Sequence, residues 1–215
     1  MVGIATKADE DHATGRYHLV SAMLGDSVAI GALRYLLDEQ MPDGSWYGRW
    51  GVNYIYGTWQ VLRGLRAMNL NMQQPWILKG KAWLESVQHE DGGWGERCNT
   101  YDDPVFKGQG PSTASQTAWA VMGLLAFDDP FRPSVQRGID YLIRTQNADG
   151  SWTEDEITGT GFPRVFYLKY DMYRNAWPLL ALATYKKVLA RKKAEPVNGE
   201  RATSPAQTAS ITRTA

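Results

Sequence analysis

The chain is short of most features that assign a protein to a class at sight. It holds one cysteine, Cys98, in 215 residues, which excludes an internal disulfide framework and suits a reducing compartment. Its 23 basic and 23 acidic side chains cancel, so there is no broad positive field to hold nucleic acid. The longest apolar run, Ala118 to Phe127, falls far short of the ~20 residues that span a bilayer. Near Met1 stand Lys7, Asp9, Glu10 and Asp11, not the basic-then-apolar order of a signal peptide, so the expectation is an intracellular chain that is not secreted. Strand-like alternation has little support along the sequence.

What the chain has in quantity is tryptophan, nine residues, and a phrase written three times. It reads Gln40-Met41-Pro42-Asp43-Gly44-Ser45-Trp46, then Gln88-His89-Glu90-Asp91-Gly92-Gly93-Trp94, then Gln146-Asn147-Ala148-Asp149-Gly150-Ser151-Trp152. The copies lie 48 and 58 residues apart, periods typical of helical arrays. Asp-Gly predicts a turn, because glycine accepts positive φ and aspartate bonds its own backbone. A Gln amide carries both donors and acceptors, so Gln40, Gln88 and Gln146 are expected to satisfy carbonyls at one helix end and amides at the next, with Trp46, Trp94 and Trp152 packed over them as clamps.

Helical periodicity surrounds each phrase. Val135, Ile139, Leu142 and Ile143 follow the i, i+4, i+7, i+8 pattern behind Pro133. Pro75 opens a helix carrying Trp76, Trp83, Leu84 and Val87, and residues 115–127 put Ala118, Val121, Met122 and Leu125 on one stripe. Asp26-Ser27 offers an N-cap for an earlier helix through Leu33 and Leu37, and a last helix is expected from about Asp171 to Lys192, bent at Pro178. The segments 41–57, 91–111 and 147–168 are long loops too aromatic for disorder. Residues 1–193 read as one all-α region, and 194–215, rich in Ala, Thr, Ser and Pro, as a disordered tail. Helix pairs at this period build an α/α array that can close into a toroid.

The three phrases resemble the QW repeats of the triterpene cyclases. Gly159-Thr160-Gly161-Phe162-Pro163, followed by Phe166-Tyr167-Leu168, Tyr170 and Met172-Tyr173-Arg174, is similar to the carboxy-terminal signature of squalene-hopene cyclases, and residues 46–58 add a second long match. The resemblance implies an α/α-toroid isomerase without metal or organic cofactor, acting on squalene or a related polyprenoid. It also implies that the region is the carboxy-terminal part of a larger enzyme. The family's Asp-x-Asp-Asp acid motif is absent from this sequence, which leads to the expectation that the chain is inactive alone and pairs with an amino-terminal half or with another copy. Peripheral contact with a membrane or lipid droplet is also expected of an enzyme that draws squalene from lipid. The basic residues Lys186, Lys187, Arg191, Lys192 and Lys193 suit that role, and equally suit the end of a helix dipole.

A squalene cyclase stabilises carbocations without supplying a nucleophile, and aromatic faces do this at roughly 0.5–2 kcal/mol per ring. By resemblance, Phe162, Phe166 and Leu168 match cavity-wall positions, Tyr170 and Tyr173 lie beside them, and Trp50 and Tyr56 match positions near the acid end. If 162–173 were helical these rings would form one stripe, which also suits an ordinary core. Arg16 corresponds to the position that pairs with the catalytic aspartate, with His12 and His18 as competitors. Cys98, Asp102, Asp103 and His89 are similar to the zinc ligands of protein prenyltransferases, but all three histidines precede Cys98, so no metal site is expected. Glu154-Asp155-Glu156 and Asp102-Asp103 are expected to be solvated. The rival reading is a non-catalytic helical-toroid protein that binds an apolar ligand or partner chain.

Overall fold

The computed structural model describes residues 27–194. Within them, six α-helices run as three successive pairs: α1 (Ser27–Asp38) with α2 (Tyr54–Ala67), α3 (Pro75–Ser86) with α4 (Ala114–Leu125), and α5 (Pro133–Arg144) with α6 (Tyr173–Ala194). Each repeated phrase is the connection inside one pair. Pro75 and Pro133 occupy the first turns of their helices, where a missing N–H costs nothing. The expected N-cap Asp26, and the tail apart from Ala194 at the end of α6, lie outside the described residues.

Helix α4 is the centre of the packing. Its first turn, with Ser115, Gln116 and Thr117, reads as polar in the sequence, yet every residue from Ala114 to Leu125 is buried, because α2, α5 and α6 all pack against it. Gly123 lets α3 and α2 approach: a Cβ there would lie 2.9 Å from Leu84 Cδ1 of α3 and 3.3 Å from the Trp59 Cα of α2. Pro178 sits buried inside α6, where it has no N–H to give the preceding turn.

The three turns share one geometry, and it differs in part from the expected clamp. The indole N–H, not the Gln, satisfies the helix end: Trp46 donates to the Leu36 carbonyl at 2.6 Å, Trp94 to Leu84 at 2.7 Å and Trp152 to Leu142 at 2.8 Å. Each acceptor is one of the last four carbonyls of its helix, which have no intrahelical partner. The Gln amide nitrogen donates to its own turn, at Gly44, Gly92 and Gly150. In the first two repeats it also reaches a first-turn carbonyl of the next pair, Trp76 at 2.8 Å and Ser134 at 2.9 Å. It bonds carbonyls at both ends, where amides were expected at the second. The first two rings lodge on glycines of the first helix of the next pair, since a Cβ at Gly80 in α3 or Gly138 in α5 would fall 2.6 or 2.8 Å from the Trp46 or Trp94 ring.

A two-stranded hairpin corrects the expectation that strands are unsupported. β1 (Gly159–Phe162) and β2 (Phe166–Leu168) are antiparallel, joined by a turn in which Arg164 takes φ 66°. Thr160, Phe162, Phe166 and Tyr167 are good strand formers, and the sequence lacks only the length that makes a strand visible.

Candidate functional site

The hairpin has a third partner. Val52 N–H donates to the Thr158 carbonyl at 3.0 Å and Thr160 N–H to the Trp50 carbonyl at 3.3 Å, with Gly51 opposite Gly159. Segment 50–52 therefore lines the edge of β1 that β2 leaves free. Phe162 and Phe166 are not successive turns of a helical stripe but a cross-strand pair, their rings 5.7 Å apart edge to face. Trp50 joins them, 6.2 Å from Phe162. Trp50, Phe162 and Phe166 are 49%, 53% and 44% exposed, so three large rings form an open apolar surface. The Arg49 guanidinium stands 5.6 Å from the Trp50 ring centre, within cation–π range.

Behind this surface Tyr56 and Tyr173 meet the core, while Tyr170 stays exposed. Tyr170 and Tyr173 are 4.7 Å apart. Tyr173 touches Trp119 and Trp177, and Tyr56 touches Trp59 and Trp119 at 5.6 and 5.0 Å. Trp59 and Trp119 stack at an interplanar angle of 7°. Burial, then the neighbouring Tyr56 and Tyr170, push the Tyr173 hydroxyl above the usual tyrosine range. Leu168 is half-buried in β2 opposite Gly159. The structure thus divides the predicted wall: Trp50, Phe162 and Phe166 on the open face, Tyr56 and Tyr173 against the tryptophans of α2, α4 and α6, and the exposed Tyr170 against Tyr173.

Buried polar residues hold the backbone beneath these rings, and the sequence reading missed them. Glu96 accepts from the N–H groups of Asn53, Tyr54 and Ile55 at 3.4, 3.3 and 3.0 Å, capping α2 from a distant loop. Burial outweighs those bonds and raises its pKa to about 7. Gln116 donates to the Val52 and Glu96 carbonyls, both at 2.9 Å. Asn53 ties Gly48 N–H to the Thr100 hydroxyl, and the Tyr101 hydroxyl donates to the Gly51 carbonyl at 2.8 Å. Burial drives that phenol far above its ordinary range.

Glu154, expected to be solvated, is buried. It accepts from Ser115 N–H and hydroxyl, both at 2.8 Å, and from the Thr158 hydroxyl, because the start of α4 presents uncapped donors in the interior. Burial raises its pKa. A usable signal was present: Glu96 and Glu154 each stand two residues after a repeat tryptophan. Asp155 and Asp102 are exposed, and Glu156 pairs with Arg97. Among the described residues no group of three His, Cys, Asp or Glu side chains is placed to hold a metal ion, and no helix is long and apolar enough to cross a membrane. Arg16, His12 and His18 lie outside the described residues.

Residues 15–187 match the model of the squalene-hopene cyclase C-terminal domain. The chain belongs to that family. It is 49% identical over 181 residues to the squalene–hopene cyclase of Bradyrhizobium diazoefficiens, covering 80% of this chain and 27% of that protein. With the squalene–hopene cyclase of Alicyclobacillus acidocaldarius it shares 51% over 161 residues, 75% of this chain and 26% of the relative. The dammaradiene synthase of Dryopteris crassirhizoma is 46% identical over 185 residues, 80% of this chain and 27% of that protein. The chain therefore spans about a quarter of the length of the squalene cyclase relatives it matches.

Proposed function

We propose that this chain supplies the aromatic end of a squalene cyclase cavity, one wall of an α/α toroid in which squalene or a related polyprenoid is folded and cyclised through carbocations. The carrying observation is the open face of Trp50, Phe162 and Phe166, three rings from three backbone segments held at 5.7–6.2 Å. Rings in that arrangement offer electron-rich faces to a passing cation without a lone pair basic enough to trap it.

The division of labour follows from the site. Trp50, Phe162 and Phe166 face the substrate and steady successive cationic centres. Tyr56 and Tyr173 form the layer behind, Tyr170 lies against Tyr173, and Leu168 fills space between. Glu96, Gln116 and Tyr101 fix the 48–53 loop, so the rings need no reorganisation when charge develops. The initiating proton comes from an Asp-x-Asp-Asp segment of the complete enzyme, with Arg16 beside it to favour the ionised aspartate. Without that segment the chain does not cyclise squalene.

The test joins residues 10–193 of this chain behind the amino-terminal part of a working squalene–hopene cyclase and extracts the products formed from squalene for gas chromatography. Cyclised triterpene from the chimera, and none from the chain alone, is the expected result. A folded chimera that yields no cyclised product, while the donor enzyme does, overturns the proposal.

A further inference from the structure

We infer that Gly51 and Gly159 act as a pair of positioning residues that set the depth of this end of the cavity by seating the rings of Tyr56 and Tyr170. The inference rests on the proposed function. The two glycines face each other across an antiparallel bridge, so their missing Cβ atoms would project from the same face of the ribbon. On that face lie two rings. A Cβ at Gly51 would fall 2.3 Å from Tyr56 Cδ2, with Cγ and Cε2 at 2.6 and 2.7 Å, and one at Gly159 would fall 2.4 and 2.5 Å from Tyr170 Cδ2 and Cε2 and 2.8 Å from the Leu168 carbonyl oxygen.

Neither glycine is required by its backbone. Among the described residues the positive-φ glycines are Gly44, Gly92, Gly108 and Gly150, so alanine is conformationally acceptable at both positions. What Gly51 demands is the space that the Tyr56 ring occupies; at Gly159 the Tyr170 ring is the nearest obstacle, and the Leu168 carbonyl oxygen of β2 must also give slightly. Carbon atoms pack at roughly 3.5–4.0 Å, so a methyl group at either position moves its ring by roughly 1 Å. Tyr56 is bounded on its other sides by Trp59 and Trp119. Tyr170 is 40% exposed and gives way toward the open surface. The ribbon itself is fixed from below, by the Tyr101 hydroxyl on the Gly51 carbonyl and by Gln116 on the Val52 carbonyl, so the rings yield before the backbone. The glycine pair is thereby a control on cavity size, and through it on how many rings close before the cation is quenched.

The test introduces Gly51→Ala and Gly159→Ala into the chimera, with Phe162→Ala as a reference, and reads product ratios beside thermal melts. Both glycine variants should raise the ratio of partly to fully cyclised product by roughly five-fold while keeping a cooperative melt. If Phe162→Ala shifts the products and neither glycine variant does, the inference falls and the proposed function stands; if none of the three shifts them, the proposed function falls too. Gly51→Ala failing to fold is read by adding Tyr56→Ala, because the ring supplies all three nearest atoms to that Cβ. Recovery of folding in the double variant supports the ring seat, and no recovery overturns it.

Discussion

The carboxylate of Glu96 accepts the backbone N–H of Ile55 at 3.0 Å, joining the loop after the second repeat turn to the start of the helix that carries Tyr56. Glu154 makes the equivalent link to Ser115 at 2.8 Å, at the start of α4. Each acid follows its repeat tryptophan by two residues and caps the second helix of the preceding pair. The repeats are thus locked backward by a carboxylate and forward by the Gln amide on Trp76 or Ser134.

Glu96 gives the first prediction, on pH. Its pKa stands at about 7 against an ordinary 4.5, so the folded chain holds this proton more tightly than the unfolded chain. The resulting stability is full below about pH 4.5 and is lost as pH rises through about 7, in all about 3 kcal/mol. Glu154 shifts in the same direction. Denaturant titrations of the parent and Glu96→Gln across this range should show the parent losing stability relative to the variant as pH increases. Parallel profiles would contradict the assignment.

Glu154 gives the second. Glu154→Ala strands the Ser115 donors in the interior and should cost about 2–3 kcal/mol. Asp155→Ala, one residue along and exposed, should stay within about 0.5 kcal/mol. Equal melting temperatures for the two variants would return Glu154 to the solvated role its sequence context suggests.

The repeat tryptophans give the third. Trp94 is fully buried, and Trp94→Ala should destabilise by about 3–5 kcal/mol. Trp94→Phe keeps most of the apolar volume but leaves the Leu84 carbonyl without its indole donor, for about 1–3 kcal/mol. Circular dichroism melts separate the two, and an unchanged midpoint for Trp94→Ala would remove the clamp from the account.

Helices α1, α3 and α5 were legible because three copies of one phrase mark where each ends and Pro75 and Pro133 mark where two begin. The hairpin was not: Phe162, Phe166, Tyr170 and Tyr173 recur at helical spacing, and only the turn at Pro163-Arg164 breaks the pattern. The full burial of α4 was also hidden, since Ser115, Gln116 and Thr117 are polar and become buried through Glu154, Glu96 and Trp94 on distant segments. Of the candidate site, the family resemblance named the rings as expectations. Their division between an open face and a layer behind it depends on the pairing of 50–52 with 158–160, which no local pattern encodes.

On the proposed function, Phe162 and Phe166 face a cation and not a core. The most direct measurement compares Phe162→Ala, Phe166→Ala and the core control Leu142→Ala in the chimera bearing residues 10–193, reading product mixture and melting temperature together. Losing one ring removes about 1–2 kcal/mol from one cationic intermediate, so both wall variants should keep the parent's melting temperature and release partly cyclised products. Leu142→Ala, which empties a fully buried site, should lose stability instead. Wall variants that return the parent's product mixture at the parent's rate would contradict the account and assign both rings to packing.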